Sequence, residues 1–146
     1  MSLLFRYQIT VDPEDQHIVD KHDWYLTDKG YARTRLPDGK QIHLHELILD
    51  TDKLVDHRNG IKLDCRRSNL REATNAQNLQ NRGKNITNLR RFKGVYPVPK
   101  GKFVAKICAN NVKYHLGTFD TEEQAALAYN EAALKYHGEF AYLNKL

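Results

Sequence analysis

The chain reads as an α+β protein of two unlike halves. A β-rich N-terminal segment carries a ββα hairpin, and a basic linker leads to a three-stranded antiparallel sheet packed on one helix. Three observations predict this. Short strand-like runs divided by Gly, Pro and Asp turns fill most of residues 5–48 and 92–119. The stretch FDTEEQAALAYNEAALKYHG repeats small apolar residues at helical spacing. Residues 82–91, RGKNITNLRR, hold four basic residues and no apolar periodicity, as a linker does.

In the first half, FRYQITV, KHDWYLT and GYARTRL read as strands, with DKG turning between the last two. Pro37, Asp38 and Gly39 form a tight turn, since Pro presets φ and Gly tolerates positive φ. QIHLH then returns as a strand, with Ile42 and Leu44 on one face and His43 and His45 on the other, and HELIL begins a short helix. LVDH and LREA read as two short strands around an extended loop. The TNAQ capping box of Thr74 and Gln77 starts a helix that carries Asn78 in its first turns.

The last block takes FKGVYPV, KFVAKICA and NVKYHLG as strands. Asp120 or Thr121 caps the helix, Glu122 and Glu123 favour its positive end, and Gly138 closes it. Ala125, Leu127, Ala128, Ala132, Ala133 and Tyr136 recur at helical spacing, and the alanines let the helix lie close to the sheet. Phe103, Phe119, Tyr129, Tyr136 and Phe140 read as core. The opposite face of the sheet is left cationic and aromatic, although strand alternation lets only part of that set project together.

Charge and cysteines narrow the function classes. The formal net charge is +5, distributed as −3 over residues 1–50, +6 over 51–92 and +2 over 93–146. A basic middle fits a polyanionic partner gripped near the centre of the chain. Cys65 and Cys108 stand far apart without a CxxC or Cys/His pattern, which excludes a structural zinc knuckle and a disulfide framework. With no apolar run of eighteen residues and an early acidic cluster, the expectation is a cytoplasmic protein with no membrane partner.

The stretch VDHRNGIKLDCRRSNLREATNAQNLQN concentrates the chemistry. Phosphodiester hydrolysis needs a nucleophilic water, a base for its proton, and positive charge at the scissile phosphate. Asp56 and His57 are adjacent, so on a strand end they face different ways, one toward a metal ion and the other toward water. His57 has the residue type for a base near neutral pH. A helix start that brings Asn78 opposite Asp56 completes an oxygen-rich sphere suited to one Mg²⁺ or Mn²⁺. Arg66, Arg67 and Arg71 are candidate phosphate contacts, because guanidinium binds that oxyanion in two-pronged fashion. His45, in an LHELI context, is either a phosphate contact or a structural histidine.

From His45 to Asn81 the sequence resembles the HNH endonuclease motif in the form found in phage and intron-encoded homing endonucleases, where asparagine replaces the last histidine. The resemblance implies a ββα-metal hairpin in which Asp56 and Asn78 bind the metal, His57 is the general base and Asn69 braces the loop. Asn69 follows His57 by twelve residues and Asn78 follows Asn69 by nine. The frame segments Asn59–Gly60, Leu63–Asp64, Asn69–Leu70–Arg71 and Gln77–Asn78 agree as well. Cys65 departs from the asparagine usual at its position, which touches a loop hydrogen bond and not the metal site.

Residues 92–144 resemble the APETALA/ethylene-response-factor DNA-binding domain, which also occurs fused to HNH nucleases in phages and bacteria. KGV, GKFVAKI, LGTFDTEEQAALAYNEAA and GEFAYLN carry the match. It implies a sheet lying in the DNA major groove with the helix behind it, and contacts from Lys93, Tyr96, Lys100, Lys102, Lys106, Lys113 and His115. The chain is poorer in Arg and Trp there than the plant domains. Lysine contacts phosphate as a point charge, so sequence discrimination is expected to be looser.

The expectation is therefore an HNH nuclease domain over residues 1–81, with its ββα-metal core at 52–81. A linker over 82–91 sets Arg82, Lys84, Arg90 and Arg91 along the DNA backbone, and a DNA-binding domain covers 92–146. The partner is double-stranded DNA, with no obligate small-molecule ligand. The protein is a monomer or weak dimer, and one catalytic site nicks one strand. A phage-encoded homing enzyme would act in the bacterial host cell. The rivals are a DNA-binding regulator whose hairpin is only structural and an RNA-acting nuclease.

Overall fold

A computed structural model describes residues 8–84 and 90–146. The chain is α+β and divides into two compact units, residues 1–78 and 79–146. The expected linker lies partly outside the described residues.

In the first unit, α1 (Gln16–Lys21) precedes a three-stranded antiparallel sheet of β1 (Tyr25–Leu26), β2 (Ala32–Arg35) and β3 (Gln41–His43). Helix α2 (Leu44–Leu49) follows directly, and then β4 (Val55–His57) pairs antiparallel with β5 (Leu70–Glu72). Helix α3 (Asn75–Asn81) completes the ββα order. Val19, Trp24, Ala32, Leu44, Ile48, Val55, Cys65 and Leu70 form one buried cluster, so this core joins the first sheet, α1, α2 and the hairpin. Trp24 is fully enclosed, and its indole N–H donates to the Val19 carbonyl at 3.0 Å, which satisfies its polar edge.

Two elements differ from expectation. FRYQITV does not extend as a strand over its described residues: Thr10 forms an isolated bridge with Asp64, taking the Leu63 carbonyl at 2.9 Å and giving its own to the Cys65 N–H at 2.7 Å. The segment is used to pin the β4–β5 loop instead of building a meander. QIHLH ends as a strand at His43, because Leu44 and His45 already belong to α2. The His43 N–H donates to the Glu46 carboxylate at 2.8 Å, a capping contact that starts the helix at Leu44, one residue before the expected start at His45. Helix α1 had no signal in the reading of the sequence.

In the second unit, β6 (Val95–Val98), β7 (Lys102–Ala109) and β8 (Val112–Phe119) form an antiparallel sheet in that order. Helix α4 (Glu122–His137) packs on it, with Thr121 and Gln124 exchanging the expected cap bonds. Its buried stripe is Ala125, Ala126, Tyr129, Ala132, Ala133 and His137. Leu127 falls on the opposite side and is half-exposed, since a residue two after Ala125 is turned well away from that stripe. Small side chains bring the helix axis near the sheet, and Phe92, Val95, Ala105 and Ile107 complete the core.

Gly94 shows how close that approach is. Its φ is +77°, and a Cβ there would stand 2.1 Å from Tyr129 Cδ2 and 2.7 Å from the Lys106 carbonyl oxygen. Gly94→Ala is expected to destabilise this unit by more than about 3 kcal/mol, combining left-handed strain with overpacking. Thermal unfolding followed by circular dichroism checks this; an unchanged midpoint would show that Tyr129 can step aside.

Candidate active site and nucleic-acid face

The β4–β5 hairpin sets the geometry of the first site. The pairing is Val55 with Glu72, Asp56 with Arg71 and His57 with Leu70. Asp56 and His57 are both buried. The Arg71 guanidinium reaches a single oxygen of Asp56, with Nε at 2.8 Å and Nη2 at 2.7 Å from Oδ2. A nearly enclosed carboxylate thus faces a nearly enclosed guanidinium.

The loop between the strands is tied by Asn69. Its amide donates to the Asp64 carbonyl at 2.7 Å, its side-chain oxygen accepts from the Asn59 N–H at 3.0 Å, and its backbone carbonyl accepts from the Arg58 N–H at 2.9 Å. Asp64 adds a second tie, accepting from Asn59 Nδ2 at 2.8 Å and from Arg66 Nε at 2.8 Å and Nη2 at 2.6 Å. The Arg66 guanidinium, outweighing burial, pulls the Asp64 carboxyl down to about 2 from an ordinary 3.8.

A group depressed in this way stabilises the fold above its unfolded pKa, and that contribution is lost as pH falls toward the folded one. The wild-type unfolding temperature is therefore expected to drop between about pH 4 and pH 2 through Asp64, among other carboxylates. Asp64→Asn should be less stable than wild type at pH 7 and close to it at pH 2. A pH series of thermal melts checks this, and parallel curves would remove Asp64 from the account.

Three imidazoles and a phenol lie together beside the hairpin. Ring centroids of His43 and His45 are 5.0 Å apart and nearly parallel, and His45 meets His57 edge-on at 5.1 Å. Tyr31 touches all three at 5.4–5.9 Å. Burial lowers His57 to about 4 against the opposing pull of Asp56 and Asp64, so its ring is unprotonated at neutral pH. Burial, reinforced by His57 and His43, lowers His45 to about 3. Burial and then the Asp56 carboxylate raise the Tyr31 phenol. The Nε2 of His57 lies 3.9 Å from the Cys65 thiol, itself buried and pushed up to about 12. Cys65 thus sits against the imidazole, a contact that an asparagine would make differently.

An open cavity of about 350 Å³ borders this array, walled by His43, His45, Glu46, Tyr31, Arg33 and Lys29 among others. Of that wall, only His45 was singled out from sequence. The His-x-His-Glu spacing of residues 43–46 was the available signal, masked by its reading as strand.

The candidate phosphate arginines are held elsewhere. Arg67 grips the buried Asp15 through Nε and Nη2, both at 2.8 Å, Arg66 is paired with Asp64, and Arg71 with Asp56. Their guanidiniums fasten this unit together; Arg71 is buried, while Arg66 and Arg67 stay about half exposed. Asn78 lies half-buried in the first turns of α3, behind the cap that Thr74 and Gln77 form at 2.8 and 3.2 Å.

In the second unit, strand register sorts the basic residues. Inward positions on β7 are Phe103, Ala105, Ile107 and Ala109, so Lys102 and Lys106 face outward. Cross-strand pairing adds Tyr96 opposite Val104, His115 opposite Lys106 and Lys113 opposite Cys108. Tyr96, Lys102, Lys106, Lys113 and His115 therefore share one face. The Arg90 guanidinium stacks on Tyr96 at 4.2 Å, with Lys106 at 5.8 Å from the same ring. Lys100 is exposed in the β6–β7 turn, and Lys102 pairs with Asp120 at 2.8 Å.

Lys93 does not join this face. Its ammonium donates to the carbonyls of Gln80 and Arg82 at 2.8 and 2.5 Å, and burial, with Arg82 nearby, lowers it to about 8. It secures the chain leading into β6. Arg91 pairs with Glu123, while Lys84 donates to the Arg90 carbonyl at 3.1 Å and Arg82 is exposed.

Comparison with known proteins bears on both units. Residues 48–80 match the family model described as HNH endonuclease. Over 135 residues the chain is 35% identical to an uncharacterized HNH endonuclease of Acanthamoeba polyphaga mimivirus, covering 88% of this chain and 70% of that protein. It is also 48% identical over 54 residues to an AP2/ERF and B3 domain-containing protein of Oryza sativa subsp. japonica, covering 37% of this chain and 15% of the other. A similar match, 49% over 55 residues, is to dehydration-responsive element-binding protein 2D of Arabidopsis thaliana, covering 36% of this chain and 27% of that one. The chain thus spans about two thirds of the viral relative and a small part of the plant proteins.

Proposed function

We infer the activity from one premise: the chain belongs to the HNH endonuclease family. It is a nuclease with an AP2/ERF-like DNA-binding unit, and the reading we propose is metal-dependent nicking of double-stranded DNA at preferred sites, in the manner of a homing endonuclease. The observation that carries it is the adjacent pair of Asp56 and His57, with a carboxylate and an unprotonated imidazole on consecutive positions of a buried strand whose loop Asn69 ties.

The donor chemistry fits a hard divalent cation. Asp56 offers carboxylate oxygen and Asn78 carboxamide oxygen, which Mg²⁺ and Mn²⁺ prefer. Asp56 and Asn78 would hold the ion, which would supply positive charge at the scissile phosphate. His57 takes the proton of the attacking water. Burial keeps the ring neutral and ready to accept, and Asn69 fixes the loop that follows His57.

The second unit would hold the duplex through Tyr96, Lys102, Lys106, Lys113 and His115, joined by Lys100, Arg90, Arg91, Arg82 and Lys84 along the backbone. Lysine-rich contact of this kind favours phosphate over base edges, so affinity should fall steeply with salt.

One observation favours the rival reading, a DNA-binding regulator with a structural hairpin: Arg71 already neutralises Asp56. Supercoiled plasmid separates the two. With Mg²⁺ or Mn²⁺ the protein is expected to convert plasmid to the open circle, and EDTA to stop it. Labelled duplex that shifts without any cleavage under either ion supports the regulator, and cleavage of RNA in preference to DNA redirects the substrate class.

A further inference from the structure

We propose that His43, His45 and Glu46 form a second metal site, one that takes a transition ion of the Zn²⁺ class and is separate from the Asp56–Asn78 pair. One donor atom from each of the three side chains lies within 4.8 Å of the other two. His43 Nδ1 and Glu46 Oε2 are already 3.1 Å apart. Tetrahedral coordination with metal–ligand bonds near 2.0–2.1 Å sets donors roughly 3.4 Å apart, so the third donor needs only a small side-chain rotation.

The placement of His45 points the same way. It is 7% exposed and lines the cavity together with His43 and Glu46, its ring nearly parallel to that of His43.

Two nitrogens and one carboxylate oxygen select a borderline ion over Mg²⁺ or Ca²⁺. Three protein ligands leave a coordination position open toward the cavity of about 350 Å³, wide enough for water or a phosphate oxygen. Asp28 and Glu46 offset Lys29 and Arg33 on the same wall, and the Arg33 Nε is engaged with the Tyr25 hydroxyl at 3.0 Å.

The variants are chosen to keep α2 intact. His43→Asn retains a favoured residue at the helix start, and Glu46→Gln retains the oxygen that accepts from the His43 N–H. The whole 146-residue chain is titrated with Co²⁺, read by its visible absorption, and with Zn²⁺, read by calorimetry. Wild type is expected to hold one ion of either metal tightly at this site, with the Co²⁺ bands of four- or five-coordination, apart from any weaker ion on the oxygen donors Asp56 and Asn78. His43→Asn and Glu46→Gln should each weaken binding at least about tenfold, and Asn78→Ala should leave it unchanged. No ion bound by wild type, binding indifferent to His43→Asn and Glu46→Gln, or binding lost in Asn78→Ala would each overturn the proposal. Zinc binding that persists in a protein unable to nick DNA would refute the nuclease reading alone.

Discussion

His57→Ala is expected to reduce metal-dependent nicking by about 10²- to 10⁴-fold, the range that a positioned general base contributes. The loss should appear in the single-turnover cleavage rate, with DNA affinity nearly unchanged, because the proposed duplex contacts are on the outer face of the second sheet. The ring is buried against Cys65, His45 and Tyr31, so removing it also leaves a hole in the first unit. His57→Gln fills most of that volume and still lacks a comparable basic nitrogen. If both variants bind labelled duplex like wild type and both lose cleavage, the base assignment stands. Cleavage at the wild-type rate in a folded His57→Gln would refute it.

The second half of the molecule was more legible than the first, for a physical reason. Strand alternation in KFVAKICA and the small-residue spacing of α4 are local patterns, and each appears in the structure as β7 and α4 with the capping residue expected. In the first half, FRYQITV carries a strand-like pattern but is committed to pinning the β4–β5 loop, which depends on residues more than fifty positions away. His45 was singled out and His43 was read on the same strand face, yet the cap bond to Glu46 starts a helix between them, where their rings lie nearly parallel. The carboxylate partners of the arginines were not legible for a related reason. Composition shows that a guanidinium is present, whereas the identity of its carboxylate partner is a property of the tertiary fold, as Arg67 and Asp15 show. The order of β4, β5 and α3, by contrast, was legible because the TNAQ cap and the two short apolar runs are local signals.

Arg71→Met should unfold far more readily than wild type, by about 3–5 kcal/mol, because it leaves the Asp56 carboxylate buried without its strongest counter-charge. Adding Asp56→Asn to it should recover most of that loss, since the hydrogen-bonding amide carries no charge to strand. Urea denaturation of the two single variants and the double variant measures the coupling. The same series tests the metal assignment. If Asp56 also holds a divalent cation, Mg²⁺ can stand in for the missing guanidinium charge, so Mg²⁺ should stabilise Arg71→Met more than it stabilises wild type. The double variant, without the carboxylate, should not gain. Equal Mg²⁺ effects on wild type and Arg71→Met would mean that Asp56 is a structural partner of Arg71 alone, and the ion would have to be sought on other donors. A larger effect in Arg71→Met would show that guanidinium and cation compete for one carboxylate, which makes opening of the Asp56–Arg71 pair a step that precedes metal-dependent cleavage.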